Sequence, residues 1–306
     1  AAICRVVNGM KRFTIGCIGA RTTAFKTTRF DEIGLQKNGI TVEAFDLSEV
    51  FYKVNAKEDN DPAVLAKKER LENYTDFSNV PEDKKIMLSK ISVVIDEYVE
   101  EYHLDALAIR CWNEMETILR VCPCVLLSEL NDRGIATSCE IDLTSAISMR
   151  AMQLASEQPT AVLDWNNNYG DAEDKLILFH CGSCAQSLMT KKGTVTSHKM
   201  FDKGDPGSGW GTNEGRIRPF KTTISNCLTV DGKIKIYASE AEFTDDPIED
   251  AYFGCAGVCQ IPNMEDKMIR LARGGFKHHT CVGVGHMKDI LKEAFTTYLG
   301  YEWVDD

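Results

Sequence analysis

Two carboxylates and two histidine groups are spaced along this chain as metal ligands are. Glu140 closes one apolar run, Asp164 the next and His180 a third, while Lys277-His278-His279-Thr280-Cys281-Val282-Gly283-Val284-Gly285-His286 lies far downstream. Oxygen and nitrogen donors at the ends of successive core elements can assemble a divalent-metal site from distant residues. Each residue alone has a plainer reading. A Glu just past a strand complements a helix N-terminus, and Asp164 before Trp165-Asn166-Asn167-Asn168 forms a turn. His180 can bond backbone at a strand end, and Lys277-His278-His279 can be a solvated basic corner. Their conjunction is what favours a site.

The elements that must position these residues change character along the chain. Up to about residue 157, strand candidates Arg12–Gly19, Ile40–Asp46, Ala106–Cys111 and Ile135–Glu140 alternate with helical stretches near 26–38, 61–76, 83–102, 117–133 and 143–156. Such alternation predicts a doubly wound, Rossmann-like α/β domain with a parallel sheet, over 1–157. From 158 to 306 the runs shorten: Lys175–His180, Ile217–Ser225, Lys233–Glu240, Lys267–Ala272 and Thr280–Gly285 are broken by Gly, Pro, Asn and Asp, with Asp231-Gly232 as a hairpin turn. That pattern predicts a mostly antiparallel β-barrel-like or sandwich domain, closed by an amphipathic helix over Met287–Leu299. In an open α/β sheet ligands bind at the carboxyl ends of the strands. Arg110, Trp112 and Glu140 fall at such ends.

Composition narrows the function. The chain has 306 residues, is 43% hydrophobic and 26% charged, and carries a net charge of -11 without a basic stripe. A nucleic acid is therefore a poor partner, and no apolar run approaches the ~20 residues of a membrane span. Twelve cysteines invite a disulfide framework, yet Cys17, Cys139 and Cys281 sit inside apolar strand-like runs, so a reduced, cytoplasmic protein is expected. Cys181-x-x-Cys184 and Cys255-x-x-x-Cys259 are a weak zinc signal, about 70 residues apart. The opening Ala1-Ala2-Ile3-Cys4 does not read as a targeting segment, and a processed or incomplete piece of a longer protein is expected.

Glu140 and Asp164, 24 residues apart, with the His279–His286 segment, resemble the fucose isomerase and arabinose isomerase superfamily of metal-dependent aldose-ketose isomerases. The opening RFTIGCIGARTTAFKTTRFDEIGLQKNGITVEAFDLSE is similar to the start of that family's middle domain, so the resemblance covers almost the whole chain apart from the family's N-terminal domain. It implies Glu140, Asp164 and His279 as metal ligands. The arabinose branch adds a histidine at a gap like that from Asp164 to His180, which makes His180 the candidate fourth ligand. It further implies a homo-oligomer whose active site lies between subunits.

The implied chemistry accounts for the residue types. Moving a proton between C2 and C1 of an aldose through a cis-enediol builds charge on O1 and O2, which a divalent ion, Mn²⁺ for a mixed oxygen and nitrogen site, stabilises. Glu140 and Asp164 are expected to serve both as ligands and as the acid and base pair. Arg110, Trp112, Trp165, Trp210 and His278 are candidate sugar contacts, Trp210 because it sits in the Gly207-Ser208-Gly209-Trp210-Gly211 loop. Core packing is an equal expectation for each tryptophan. Two other functions stay open: a catalytically lapsed sugar-binding or oligomerisation homologue, and a cysteine-centred zinc or redox protein.

Overall fold

The computed structural model describes residues 1–305. Four strands, β1 (Phe13–Ile18), β2 (Ile40–Phe45), β3 (Ala106–Ile109) and β4 (Ala136–Cys139), form a parallel sheet in the order β2-β1-β3-β4. Every residue of β3 and β4 is buried, as befits strands covered on both faces. Along the same stretch run α1 (Ala2–Lys11), α2 (Glu32–Lys37), α3 (Leu47–Ala56), α4 (Pro62–Tyr74), α5 (Glu82–Glu101), α6 (Cys124–Asp132) and α7 (Leu143–Ser156). α1 and α7 pack Val6, Met10, Ile147 and Met149 on one face of the sheet; α3, α5 and α6 pack Val50, Val54, Ile91 and Leu126 on the other.

The helices start where the sequence caps them. Asp46 accepts from the Ser48 amide, Asp61 from Ala63 with Pro62 at the first turn, and Asp142 from Ser145. The expected helix over 26–38 is shorter, a 3₁₀ turn at Lys26–Thr28 followed by α2. That over 117–133 is divided at Pro123 into a π-helical turn at Met115–Leu119 and α6, because proline disfavours helical backbone in the residue before it.

The remaining elements are β5 (Thr160–Asn168), β6 (Lys175–His180), a 3₁₀ turn (Gln186–Leu188), β7 (Thr194–Ser197), α8 (Lys199–Asp202), β8 (Trp210–Arg216), β9 (Phe220–Val230), β10 (Lys233–Phe243), β11 (Cys255–Gln260), α9 (Met264–Arg273), β12 (His279–Val284), α10 (Lys288–Glu293), continued by a π-helical stretch (Ala294–Leu299), and β13 (Glu302–Trp303). Strands β9, β10, β11, β6, β5 and β12 pair in a closed antiparallel ring, since β10 also bonds β11 through Glu242 and Phe243. The ring is a six-stranded barrel. Asp231 and Gly232, both at positive φ, make the β9–β10 hairpin turn. β8 and β7 extend beyond β11 as a flap that reaches back to the first sheet, where the Cys122 amide donates to the Trp210 carbonyl.

Lys267–Ala272 corrects the sequence reading: it is the interior of α9, a helix. Met264 and Leu271, seven residues apart, bury one face, with acids in the first turn and arginines in the last. A six-residue window was too short to separate that period from a strand's. Trp210 is likewise the first residue of β8 and not a loop tip. All twelve cysteines are free, and among the described residues no helix is long and apolar enough to cross a membrane.

α7 lies between the two halves. It packs on β3 and β4 on one side and on β5, β9 and β12 on the other, in one continuous core that includes Ala108, Ile147, Cys227 and Cys281.

Candidate active site

The parallel sheet ends where the barrel begins. After β4 the chain turns through Glu140 and Ile141, both left-handed at φ 60° and 58°. Such backbone is rare for a β-branched residue, and its strain is held by burial of the Ile141 side chain. The turn lifts the Glu140 carboxylate over the carboxyl edge of the sheet, where Oε1 accepts from Trp112 Nε1 at 2.9 Å. Trp112 itself follows β3, the neighbouring strand.

Three barrel strands bring the other groups. Asp164 of β5 stands directly opposite His279 of β12, and His180 ends β6, the next strand round the ring. His279 Nε2 lies 3.0 Å from Glu140 Oε2 and 3.3 Å from Asp164 Oδ1, and His278 Nε2 lies 3.4 Å from the same Asp164 oxygen. The rings of His180 and His279 are 5.9 Å apart, and His180 Nδ1 is 3.3 Å from Ser183 Oγ. Glu140, His180 and His279 can each aim one donor atom at a common point, as can Asp164, His278 and His279. Glu140, His180 and His279 thus form one candidate donor group and Asp164, His278 and His279 another, the two sharing His279. Neither group includes a cysteine, and Cys181, Cys184, Cys255 and Cys259 do not gather as a zinc set among the described residues.

Asp142 is the residue that sequence reasoning missed. Fully buried, it caps α7 and accepts from Ser145 N at 3.0 Å, Ser145 Oγ at 2.6 Å and Thr144 Oγ1 at 3.0 Å. Its carboxylate also takes His279 Nδ1 at 2.7 Å and the buried ammonium of Lys277. The Asp-Leu-Thr-Ser start of the helix announced the cap; nothing local announced partners more than 130 residues away.

These contacts set the charges. Burial alone would raise Asp142, but Lys277 and His279 hold it well below the usual carboxylate range. Burial alone would lower His279; the bond to Asp142 and the carboxylates of Glu140 and Asp164 close to Nε2 overcome that and hold it up at about 10. Glu140 also feels burial upward, yet His279 and the Trp112 bond keep it low and ionised. His278, further out, is lowered by burial and by its charged neighbour His279.

The donor set fits a divalent ion. His279 Nε2 and Asp164 Oδ1 are buried without a hydrogen-bond partner, although each is near an oppositely charged group. Buried polar atoms are rarely left so. With Nδ1 committed to Asp142, Nε2 is the ring atom left for a metal, an arrangement common behind metal-binding histidines.

A cavity of about 460 Å³ opens on these groups, with Trp112, Glu140, Asp164, His180 and His278 in its wall. Aromatic rings of Phe25, Phe179, Phe201 and Phe253 and several thiols complete it. Burial pushes the Cys111 thiol up to about 12, whereas hydrogen bonds from Cys122 and Cys139 hold Cys124 well below the ordinary thiol value. Among the described residues no lysine or arginine lines this space.

Three of the expected sugar contacts lie elsewhere. Arg110 spends its guanidinium on Glu114 and on the carbonyls of Ala20 and Trp112, bracing the loop that carries Trp112. Trp165 follows Asp164 along β5 and so faces the opposite side of the strand, toward Leu271 and Phe276. Trp210 packs into the core of the first sheet. Trp112 and His278 remain at the cavity.

Comparison with known proteins gives a consistent picture. Residues 178–305 match the family described as L-fucose isomerase, C-terminal domain. A protein named sulfoquinovose isomerase from Priestia aryabhattai is 23% identical over 294 residues, 95% of this chain and 64% of its own length. Proteins of the same name from Alkalicoccus urumqiensis and Clostridium sp. are 28% and 29% identical, over 60% and 49% of this chain and 41% and 33% of theirs. The chain thus spans just under two thirds of the first of these relatives.

Proposed function

Since the chain carries an L-fucose isomerase C-terminal domain and belongs with the fucose isomerase-like proteins, we propose that it is the greater part of a divalent-metal-dependent aldose-ketose isomerase. The observation that carries this reading is the placing of Glu140, Asp164 and His180 in the wall of one cavity around the buried His279, whose Nε2, like Asp164 Oδ1, has no hydrogen-bond partner. Those four residues would hold the ion, Mn²⁺ being suited to their mixed oxygen and nitrogen donors. When bound, it supplies a Lewis acid for the charge that develops on sugar O1 and O2.

The chain's own groups do the rest. Glu140 and Asp164 form the acid and base pair that carries the proton between C2 and C1 through a cis-enediol, one on each side of His279 Nε2. Trp112 Nε1–H fixes the Glu140 carboxylate, and Asp142 fixes the His279 ring. His278, half exposed at the mouth, is placed to bond a sugar hydroxyl. The aromatic wall excludes water from the reacting carbons.

Metal analysis of the purified chain and of Glu140→Gln, with a screen of L-fucose, D-arabinose and sulfoquinovose, tests the proposal. One ion per chain, lost in the variant, and interconversion abolished by a chelator are expected. Sugar binding without turnover would instead mark a lapsed homologue. Metal retained in full by Glu140→Gln would refute the site.

A further inference from the structure

Glu116 is a third acid in the same cavity, and the reaction described above does not use it. It sits in the π-helical turn Met115–Leu119, is 3% exposed, and neither carboxyl oxygen has a hydrogen-bond partner. An unsatisfied buried carboxyl costs stability, on the order of the desolvation of a polar group. A fold keeps such a group where a ligand completes it.

We propose that Glu116 binds a hydroxyl of the sugar, accepting from it and donating to it, as a further substrate-positioning residue. This rests on the isomerase reading of the site. The surroundings suit a neutral hydrogen-bonding group and not a charged clamp. Cys122, Cys124 and Cys111 line the cavity with it, no cation does so among the described residues, and burial, with Cys124 and Glu114 adding to it, holds the acid up at about 9. As a neutral acid it offers one O–H donor and a carbonyl acceptor, the pair that a hydroxyl needs.

His198 stands in the same wall and supplies a second donor. It is buried, and its Nδ1 accepts from the Met200 amide at 3.3 Å, which places the ring proton on Nε2. Burial lowers its pKa, so it too is neutral at pH 7. Cys111, Glu140 and Glu116 all line this one cavity, so its reacting end and its Glu116 end share a wall. A sugar with its C1 and C2 oxygens at Glu140 and Asp164 would present its remaining hydroxyls along that wall.

The test uses the full chain loaded with Mn²⁺, with L-fucitol as a non-reacting probe by calorimetry and L-fucose and sulfoquinovose as substrates. Glu116→Ala should weaken L-fucitol about tenfold and raise KM with little change in kcat, while Glu116→Gln, which keeps one donor and one acceptor, stays within about twofold. Mn²⁺ content should be unchanged in both. Glu116→Leu should melt no lower than the natural chain, since it removes a buried acid, yet bind sugar as poorly as Glu116→Ala. If Glu116→Ala binds and turns over sugar normally, or Glu116→Leu melts markedly lower, the acid is structural and the proposal fails, with the isomerase reading intact. If the natural chain neither binds nor converts any of the three compounds, both readings fall together.

Discussion

Asp142→Asn should reveal how far the site depends on one buried carboxylate. The carboxamide of that variant can still accept from the Ser145 amide, so the helix cap survives, while the charge and the second acceptor oxygen, the one facing His279 Nδ1, are removed. What is lost is the counter-ion of Lys277, 6% exposed, and of His279, 1% exposed. Stranding buried cations costs about 3–5 kcal/mol, a large part of the roughly 5–15 kcal/mol that holds a typical domain. The carboxylate also selects the ring proton of His279, so Mn²⁺ affinity should fall about 10–100-fold. Urea unfolding of the metal-free chain measures the first effect and Mn²⁺ titration the second. Adding Lys277→Met should recover at least about half of the lost stability, because it removes one stranded charge. A loss below about 1 kcal/mol, with unaltered Mn²⁺ binding, would refute the role given to Asp142.

Two further outcomes follow from other parts of the fold. Glu116 has its folded pKa raised from 4.5 to about 9, so the native state holds a proton that the unfolded chain has released. Its contribution is greatest below about pH 4.5 and is lost as pH rises toward 9, at up to about 1.4 kcal/mol per pH unit. Between pH 6 and 8 the natural chain should lose up to about 3 kcal/mol relative to Glu116→Gln in urea midpoints; parallel profiles would contradict a protonated Glu116. At Gly211, φ is 134° and an added Cβ would lie 1.9 Å from the Cys122 carbonyl oxygen. Gly211→Ala should destabilise by on the order of 3 kcal/mol in thermal unfolding and loosen the flap from the sheet, and a melting point within about 1 °C of the natural one would count against that contact.

Much of the candidate site was legible because its donor residues punctuate apolar runs. Glu140 after β4, His180 at the end of β6 and His279 at the head of β12 are positions where a strand begins or stops and a side chain reaches the edge. β3 announced itself through the fully apolar segment Ala106–Ile109, and the β9–β10 hairpin through Asp231-Gly232. Other features depend on what arrives from far away. Trp165 looks like a sugar platform beside Asp164 until strand alternation turns it to the other face. Glu116, in the charged string Asn113-Glu114-Met115-Glu116, reads as solvated surface; only the tertiary fold makes it buried. α9 was misread because Met268-Ile269 in the middle of the helix imitates a short strand.

α7, wedged between sheet and barrel, also orders events in time. Its N-cap is Asp142, which must meet His279 of the last barrel strand and Lys277 just before that strand before either charge is compensated. Between those partners the chain has to lay down nearly the whole barrel, a loop closure of more than 130 residues. Native pairings so distant form late, since the entropy of closing the loop is spent before any contact returns it. A nascent or refolding chain therefore passes through a stage in which the α/β half is assembled while the edge that carries Glu140 is still a bare carboxylate rim. The donor set is completed with β12, as one of the last acts of folding.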